Sequence, residues 1–148
     1  MSDGRKRRLS GCPIDYGLDV FGDRWTLLVI RDLLFVGKRH FKELMESPER
    51  IASNILTARL KKLEERGLIE RCADPDNRKQ VIYTLTDKGR DLIPVLVEIV
   101  RWGGRHDPNT LVPKNVVARF ARDNESILAE LRACMVGTAR KVKAKARR

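Results

Sequence analysis

Residues 53–85 read SNILTARLKKLEERGLIERCADPDNRKQVIYTL. The first part of this segment carries a stripe of leucines at helical spacing, namely Leu56, Leu60 and Leu63. This spacing predicts an amphipathic helix over about residues 53–66. Gly67 follows directly and is well placed to end that helix.

The second part of the segment predicts a β-hairpin. Residues 68–72 and 81–85 are rich in strand-forming side chains, and residues 74–79 between them have the composition of a turn. A helix followed by a two-stranded hairpin is therefore the centre of the predicted fold.

Three further helices are predicted before this segment. Pro13 suits the first turn of a short helix that Gly22 breaks. Asp23 can cap a second helix, apolar nearly all round, that reaches about Phe35. A third short helix is predicted over about residues 39–46.

The chain after the hairpin is predicted to be helical. Thr86 can cap a long fifth helix that reaches about Trp102, and Pro94 should bend this helix because it lacks a backbone donor. Residues 107–113 read as a linker. Residues 116–136 then form one further helix or a broken pair of helices.

Three helices followed by a hairpin with a basic turn is the order of a winged helix-turn-helix, in which the later helix enters the major groove of DNA. The fold class predicted is mainly α with a small β-hairpin wing and long C-terminal dimerisation helices.

With the leucines inward, the fourth helix presents a polar set outward: Ser53, Asn54, Thr57, Ala58 and Lys61. Asn54 can pair with an adenine edge, and Ala58 can touch a thymine methyl group. The alternative is that this set is an ordinary solvent-facing surface.

Two other groups of residues are candidates for contact with the DNA backbone. The hairpin tip offers Asn77, Arg78 and Lys79 to phosphates or to the adjacent minor groove. The start of the third helix offers Lys38, Arg39 and His40, through their cations and free backbone donors. Either group can equally be a solvated charged turn.

Several linked motifs carry a resemblance to a known family. They are CPI at 12–14, GDRWTLLVIRDL at 22–33, RHFKEL at 39–44, LTARLKKLE at 56–64, GLIER at 67–71, YTLT at 83–86 and WG at 102–103. In order and spacing these motifs resemble the HxlR family, a branch of the MarR-like bacterial regulators. The resemblance implies a homodimeric transcription regulator, often responsive to electrophiles or redox stress. One departure is Ala52, where family members often carry a capping serine.

Cys12 matches the position of the family's sensing cysteine, and the resemblance therefore implies a redox or electrophile sensor. A cysteine beside a helix start can have its thiolate favoured by the helix dipole. The alternative is a small, packed apolar residue. Cys72 and Cys134 are expected to pack, and Trp25 and Trp102 are expected to anchor the core and an interface.

The formal charge of +11 is concentrated in two basic tails. Residues 138–148 carry six cations and no acid, and four cations face one acid within residues 1–11. We predict four segments: a basic tail over 1–11, a DNA-binding and dimerisation domain over 12–106, a helical extension over 107–137 and a second basic tail over 138–148. Such tails favour phosphate attraction or are simply solvated termini.

Other classes of protein have little support in the sequence. The three cysteines lie about sixty residues apart and there are two histidines, so neither a disulfide scaffold nor a metal site is indicated. We expect no cofactor and no enzyme activity, because no phosphate loop or nucleophile motif occurs. No apolar stretch approaches the roughly 20 residues that span a bilayer, which predicts a cytoplasmic protein with no membrane partner.

The sequence thus predicts a sequence-specific regulator that binds double-stranded DNA. A homodimer is expected through the fifth and first helices, because the fifth is apolar on more than one face, and its operator should be an inverted repeat. A small-molecule effector is compatible with the sequence but is not identified by it. The alternatives are a nucleic-acid-binding protein without sequence preference and a winged-helix module for protein interaction.

Overall fold

The computed structural model describes residues 10–122, 125–126, 128–130 and 133. Seven helices and two strands run through residues 10–122, with these bounds: α1 Pro13–Phe21, α2 Arg24–Arg31, α3 Phe41–Met45, α4 Ser53–Glu65, β1 Ile69–Ala73, β2 Val81–Leu85, α5 Asp87–Arg90, α6 Ile93–His106 and α7 Lys114–Arg122. A π-helical turn over Asp32–Val36 continues α2. The described residues after α7 are helical. Residues 1–9 of the first basic tail, the whole of the second basic tail and Cys134 lie outside the described residues.

Local chemistry sets the helix ends as the sequence predicts. The Asp23 carboxylate accepts hydrogen bonds from the backbone N–H groups of Trp25 and Thr26 at 3.1 and 3.0 Å and caps α2. The Thr86 hydroxyl accepts from the Gly89 N–H at 3.1 Å and caps α5. Gly67, with φ +72°, follows α4 in the left-handed conformation that favours glycine.

The core lies where α2, α4, the hairpin and α6 meet. Its most deeply buried apolar side chains are Ile30, Leu44, Leu56, Leu63, Ile69, Ile93 and Val97. Because each of these helices gives one apolar stripe to the same core, the orientation of α4 is fixed by its leucines.

The hairpin pairs β1 antiparallel with β2, with Ile69 opposite Leu85 and Cys72 opposite Ile82. The chain just before α3 adds a short bridge to the same sheet: the Tyr83 N–H donates to the Arg39 carbonyl at 2.9 Å. The wing is therefore attached through β2 to the segment that leads into α3.

The predicted single fifth helix is wrong, because the structure has two helices there. α5 ends at Arg90, and α6 begins at Ile93 with Pro94 in its first turn. A continuous helix would require the residue at position 94 to donate to the Arg90 carbonyl, and proline has no N–H. Pro94 therefore starts a helix instead of bending one.

No helix within the described residues is long and apolar enough to cross a membrane.

Candidate nucleic-acid interface

The outer face of α4 has the orientation that the leucine spacing predicts. Leu56, Leu60 and Leu63 are buried. The outward set is exposed throughout: Ser53, Asn54, Thr57, Ala58 and Lys61. The helix thus presents one polar face to solvent along three turns.

The side chains on this face differ in which hydrogen-bonding groups are already occupied within the chain. The Thr57 hydroxyl donates to the Ser53 carbonyl at 2.8 Å, so its proton is committed to its own helix. The Asn54 amide makes no hydrogen bond within the described part of the chain and keeps both its donor and its acceptor. Ala52 occupies the N-cap position and supplies no side-chain cap, so backbone N–H groups of the first turn remain open to an anion.

Three cations attach α4 to the rest of the domain: Arg59 and Lys62 within the helix and Arg66 at its C-cap. Arg59 Nη1 lies 3.2 Å from Asp23 Oδ1, at the start of α2. On α1, Asp19 accepts from Lys62 Nζ through its backbone carbonyl at 3.0 Å and from Arg66 Nη2 through its carboxylate at 2.7 Å. α4 is therefore in direct contact with α1 through Asp19. This role of Asp19 cannot be predicted from the local sequence, because the residues in contact lie more than forty positions apart.

The Asp23 carboxylate is a helix cap and an ion-pair partner at once. Partial burial opposes its ionisation, but the hydrogen bonds from Thr26 and Trp25 and the charge of Arg59 outweigh that and lower its pKa. Asp23 is thus ionised at neutral pH and holds the start of α2 against α4.

The wing tip is an ordered turn that carries exposed cations. Asp74 Oδ1 accepts from the Asp76 N–H at 2.8 Å, and Asn77 Oδ1 accepts from the Lys79 N–H at 3.3 Å. Arg78 and Lys79 are exposed, and their side chains have no ion-pair partner among the described residues. Of the predicted tip residues, Asn77 shapes the turn while Arg78 and Lys79 project their charges.

His40 joins the start of the wing turn to α3. Its Nε2 lies 2.7 Å from Asp74 Oδ2, and its Nδ1 lies 3.4 Å from Glu43 Oε2. The hydrogen bond to Asp74 raises the pKa of His40, and it lowers the pKa of Asp74 in return. The protonated imidazole is therefore favoured where it links the two elements.

The backbone donors predicted to be free at the start of α3 are occupied. Glu43 Oε2 accepts from the Arg39 N–H at 2.7 Å and from the His40 N–H at 3.0 Å, and these bonds lower the pKa of Glu43. That part of the prediction is wrong, because Glu43 caps α3 from within.

Lys38 also has an internal role that the sequence did not reveal. Its Nζ lies 3.1 Å from Asp32 Oδ2 and 2.7 Å from Ser47 Oγ, both of which are buried. A phosphate contact would have to compete with this ion pair. Arg39 is half-buried, and its side chain has no ion-pair partner among the described residues.

Cys12 occupies the N-cap position of α1 and is exposed. Its backbone N–H donates to Ser10 Oγ at 3.0 Å. Cys12 is therefore not packed against the described residues of its own chain. Cys72 is half-buried in β1.

Two helices carry apolar side chains that the domain leaves uncovered. On α6, the inner face buries Ile93, Leu96 and Val97, while Ile99 and Trp102 on the outer face are 48% and 69% exposed. A groove of about 550 Å³ follows this outer face from Pro94 to Trp102. On α1, Ile14 and Leu18 are 73% and 59% exposed.

No three His, Cys, Asp or Glu side chains of the described residues come together as metal ligands would.

Comparison with known proteins identifies related regulators. The model of the HxlR-like helix-turn-helix family matches residues 20–110. The HTH-type transcriptional regulator YodB of Bacillus subtilis is 38% identical over 92 residues, which cover 62% of this chain and 81% of YodB.

Solved structures give the same result for the fold. PA1607, a proposed transcription factor, superposes with a TM-score of 0.62 at 39% identity, covering 69% of this chain and 71% of PA1607. A proposed MarR-family regulator from Porphyromonas gingivalis gives 0.57 at 30% identity, covering 69% and 99%. Quinone-bound YodB gives 0.52 at 36% identity, covering 64% and 99%. The predicted winged helix-turn-helix and the HxlR and MarR-like resemblance are confirmed.

Proposed function

Because this chain belongs to the HxlR-like helix-turn-helix family of transcriptional regulators, we propose that it binds an inverted-repeat operator in double-stranded DNA as a homodimer. The observation that carries the proposal is the polar face of α4, which is exposed throughout, as are the cations of the wing tip. A dimer presents two such faces, so a two-fold protein matches a two-fold operator.

The residues of this interface divide by what their groups can recognise. Asn54 has a free amide on the outer face of α4, and its geometry suits bidentate pairing with adenine. Ala58 offers a methyl group for contact with thymine. Ser53 and the acceptor lone pairs of Thr57 suit a base edge or a phosphate oxygen.

In this proposal the contacts to the DNA backbone come from exposed cations of α4 and the wing. Arg78 and Lys79 on the wing and Lys61 on α4 are exposed and suit phosphates, which position a protein without reading sequence. Arg39 is a further phosphate contact in this proposal. His40 and Asn77 act by shaping the wing, and Lys38 is left out because Asp32 and Ser47 hold its ammonium group.

A competition between operator and random DNA tests this division. Asn54→Ala should weaken operator binding by roughly 1 to 3 kcal/mol and leave random DNA unchanged, since base contacts discriminate. Arg78→Ala should weaken both and reduce the slope of log K against log salt by about one. Arg119→Ala, an equal loss of charge on α7, is the control and should change neither.

Two results would favour the alternatives. Equal affinity of the wild type for operator and random DNA would indicate a nucleic-acid-binding protein without sequence preference. Failure to bind DNA at low salt would indicate a winged-helix module for protein interaction.

Within the same proposal, Cys12 makes operator binding responsive to oxidants or electrophiles. Two observations support this: Cys12 is exposed at the start of α1, and the similar protein YodB has been solved with a quinone bound. Because Asp19 of the same helix holds α4, a change at α1 has a direct route to the DNA-facing helix.

A further inference from the structure

A second cavity, of about 440 Å³, lies between the end of α6, the linker over residues 107–113 and the start of α7. None of the residues proposed to contact DNA lines it. Three cationic side chains do, namely Arg101, Arg105 and Lys114, against the single carboxylate of Asp107. The lining therefore has an excess of positive charge, which attracts anions.

The four charged residues are not equally available. Arg101 Nη1 lies 2.7 Å from Glu98 Oε1 in an ion pair within α6. Asp107 Oδ1 accepts from the Asn109 N–H at 2.9 Å and shapes the linker. Arg105 and Lys114 are exposed, and neither has an ion-pair partner among the described residues. These two cations are free to bind an anion.

The start of α7 adds to the positive potential that these two side chains create in the cavity. This nine-residue helix begins at Lys114, so the positive end of its dipole lies at the cavity. The side chains of Arg105 and Lys114 come from different helices, which places one charge on each side of the linker.

The remaining walls are largely apolar. Pro108, Val112 and Ala118 line the cavity, and the Thr110 hydroxyl accepts from the Val112 N–H at 3.3 Å, which orders the linker beside them. The volume falls in the ordinary range of small-molecule sites, where an apolar lining combines with a few charged groups. Inorganic phosphate alone would leave these apolar walls without a partner.

We propose that this cavity binds a small organic anion. Its carboxylate or phosphate group contacts Arg105 and Lys114, and its apolar body packs against Pro108, Val112 and Ala118. Val112, Lys114 and Ala118 lie beyond position 110, where the family match ends, so the site needs residues outside the matched part of the chain. Binding is a separate property from operator recognition and is measured without DNA.

Isothermal titration of the full chain tests the site with three probes: naphthoate, its uncharged analogue naphthamide, and inorganic phosphate. Naphthoate should bind more tightly than either of the others, because only it supplies both the charge and the apolar body. Arg105→Gln and Lys114→Gln should each weaken naphthoate binding about three- to tenfold. Lys42→Gln removes an exposed cation from α3 and should leave binding unchanged.

A second measurement locates the bound probe. Naphthoate should shift the NMR signals of Val112 and Ala118 in every variant that binds it, and circular dichroism confirms that each variant is folded. The proposal is overturned if naphthoate does not bind at millimolar concentration, or if the two Gln variants bind it as well as the wild type. Equal affinity for naphthamide, or equal affinity for phosphate, would overturn it as well.

Discussion

At the scale of single residues, the Glu49 carboxylate is held in a strong ion pair by Arg31. Arg31 faces it with both terminal nitrogens, at 2.5 and 3.0 Å, and also contacts Asp32 Oδ1 at 2.7 Å. The hydrogen bonds from Arg31 lower the pKa of Glu49 to about 2. Arg31 ends α2 and Glu49 lies in the loop before α4, so the Arg31–Glu49 ion pair connects these two segments. Asp32, which Arg31 also contacts, is buried and binds Lys38 and Ser47 as well.

Glu49→Gln should lower the free energy of unfolding by about 1 to 3 kcal/mol at neutral pH, since it removes the charge that Arg31 binds. The folded pKa lies below the unfolded value of 4.5, so the stabilisation is present above 4.5 and is lost as the pH falls towards about 2. Urea unfolding across this range should show the difference between wild type and variant shrinking in acid.

Glu65→Gln is the control for that measurement. Glu65 is exposed and its carboxylate lies 3.9 Å from Lys61, so its loss should change stability by less than about 0.5 kcal/mol. A Glu49→Gln deficit that stayed constant in acid would show that the ion pair is not its source.

At the scale of secondary-structure elements, one glycine sets how closely α5 approaches the wing. A Cβ atom at position 89 would lie 2.1 Å from the Leu68 carbonyl oxygen, which is backbone and cannot move alone. A side chain there would force α5 away from the strand that leads out of α4.

Gly89→Ala should therefore destabilise the fold by about 1 to 3 kcal/mol, as overpacking does. Gly103→Ala in α6 is the matched control, because a Cβ atom there meets no atom within 4 Å. It should be neutral or stabilise the helix by up to about 1 kcal/mol. Thermal or urea unfolding of both variants gives the comparison, and an equal effect of the two would contradict the contact with Leu68.

The elements also show what the sequence can and cannot predict. The caps at Asp23 and Thr86 and the stop at Gly67 depend on neighbours within a few residues, so local sequence predicts them. The outward face of α4 follows from its leucine spacing. In contrast, the internal role of Lys38 and the contact of Asp19 with α4 depend on residues brought together by folding. The break before Pro94 could have been predicted from the donor that proline lacks.

At the scale of the whole molecule, the proposed dimer should depend on the outer apolar faces of α6 and α1. Trp102→Ser should weaken self-association at least about tenfold, since it removes a large aromatic side chain from the interface. Val36→Ser changes an apolar residue that is also exposed but lies after α2, and it should leave association unchanged. Sedimentation equilibrium measures both. A wild-type monomer at micromolar concentration would contradict the proposed dimer.

In the proposed regulator, a change at the Cys12 thiol passes through α1 to the DNA-facing helix α4. The Cys12 thiolate adds to a ring carbon of a quinone: the carbon–sulfur bond forms as the conjugated C=C π bond breaks, and the electron pair moves to the carbonyl oxygen, which takes a proton from water. The adduct displaces α1 from its place in the dimer. Because Asp19 binds Lys62 and Arg66, that displacement reaches α4 and changes the spacing of the two recognition helices. Quinone treatment should therefore lower operator affinity in the wild type and in Cys72→Ser, but not in Cys12→Ser.

Asp19→Ala breaks the contact with Arg66, so this variant should form the same adduct by mass spectrometry and lose less affinity. If Asp19→Ala responds as fully as the wild type, the signal does not pass through this contact; if Cys12→Ser responds fully, Cys12 is not the sensor.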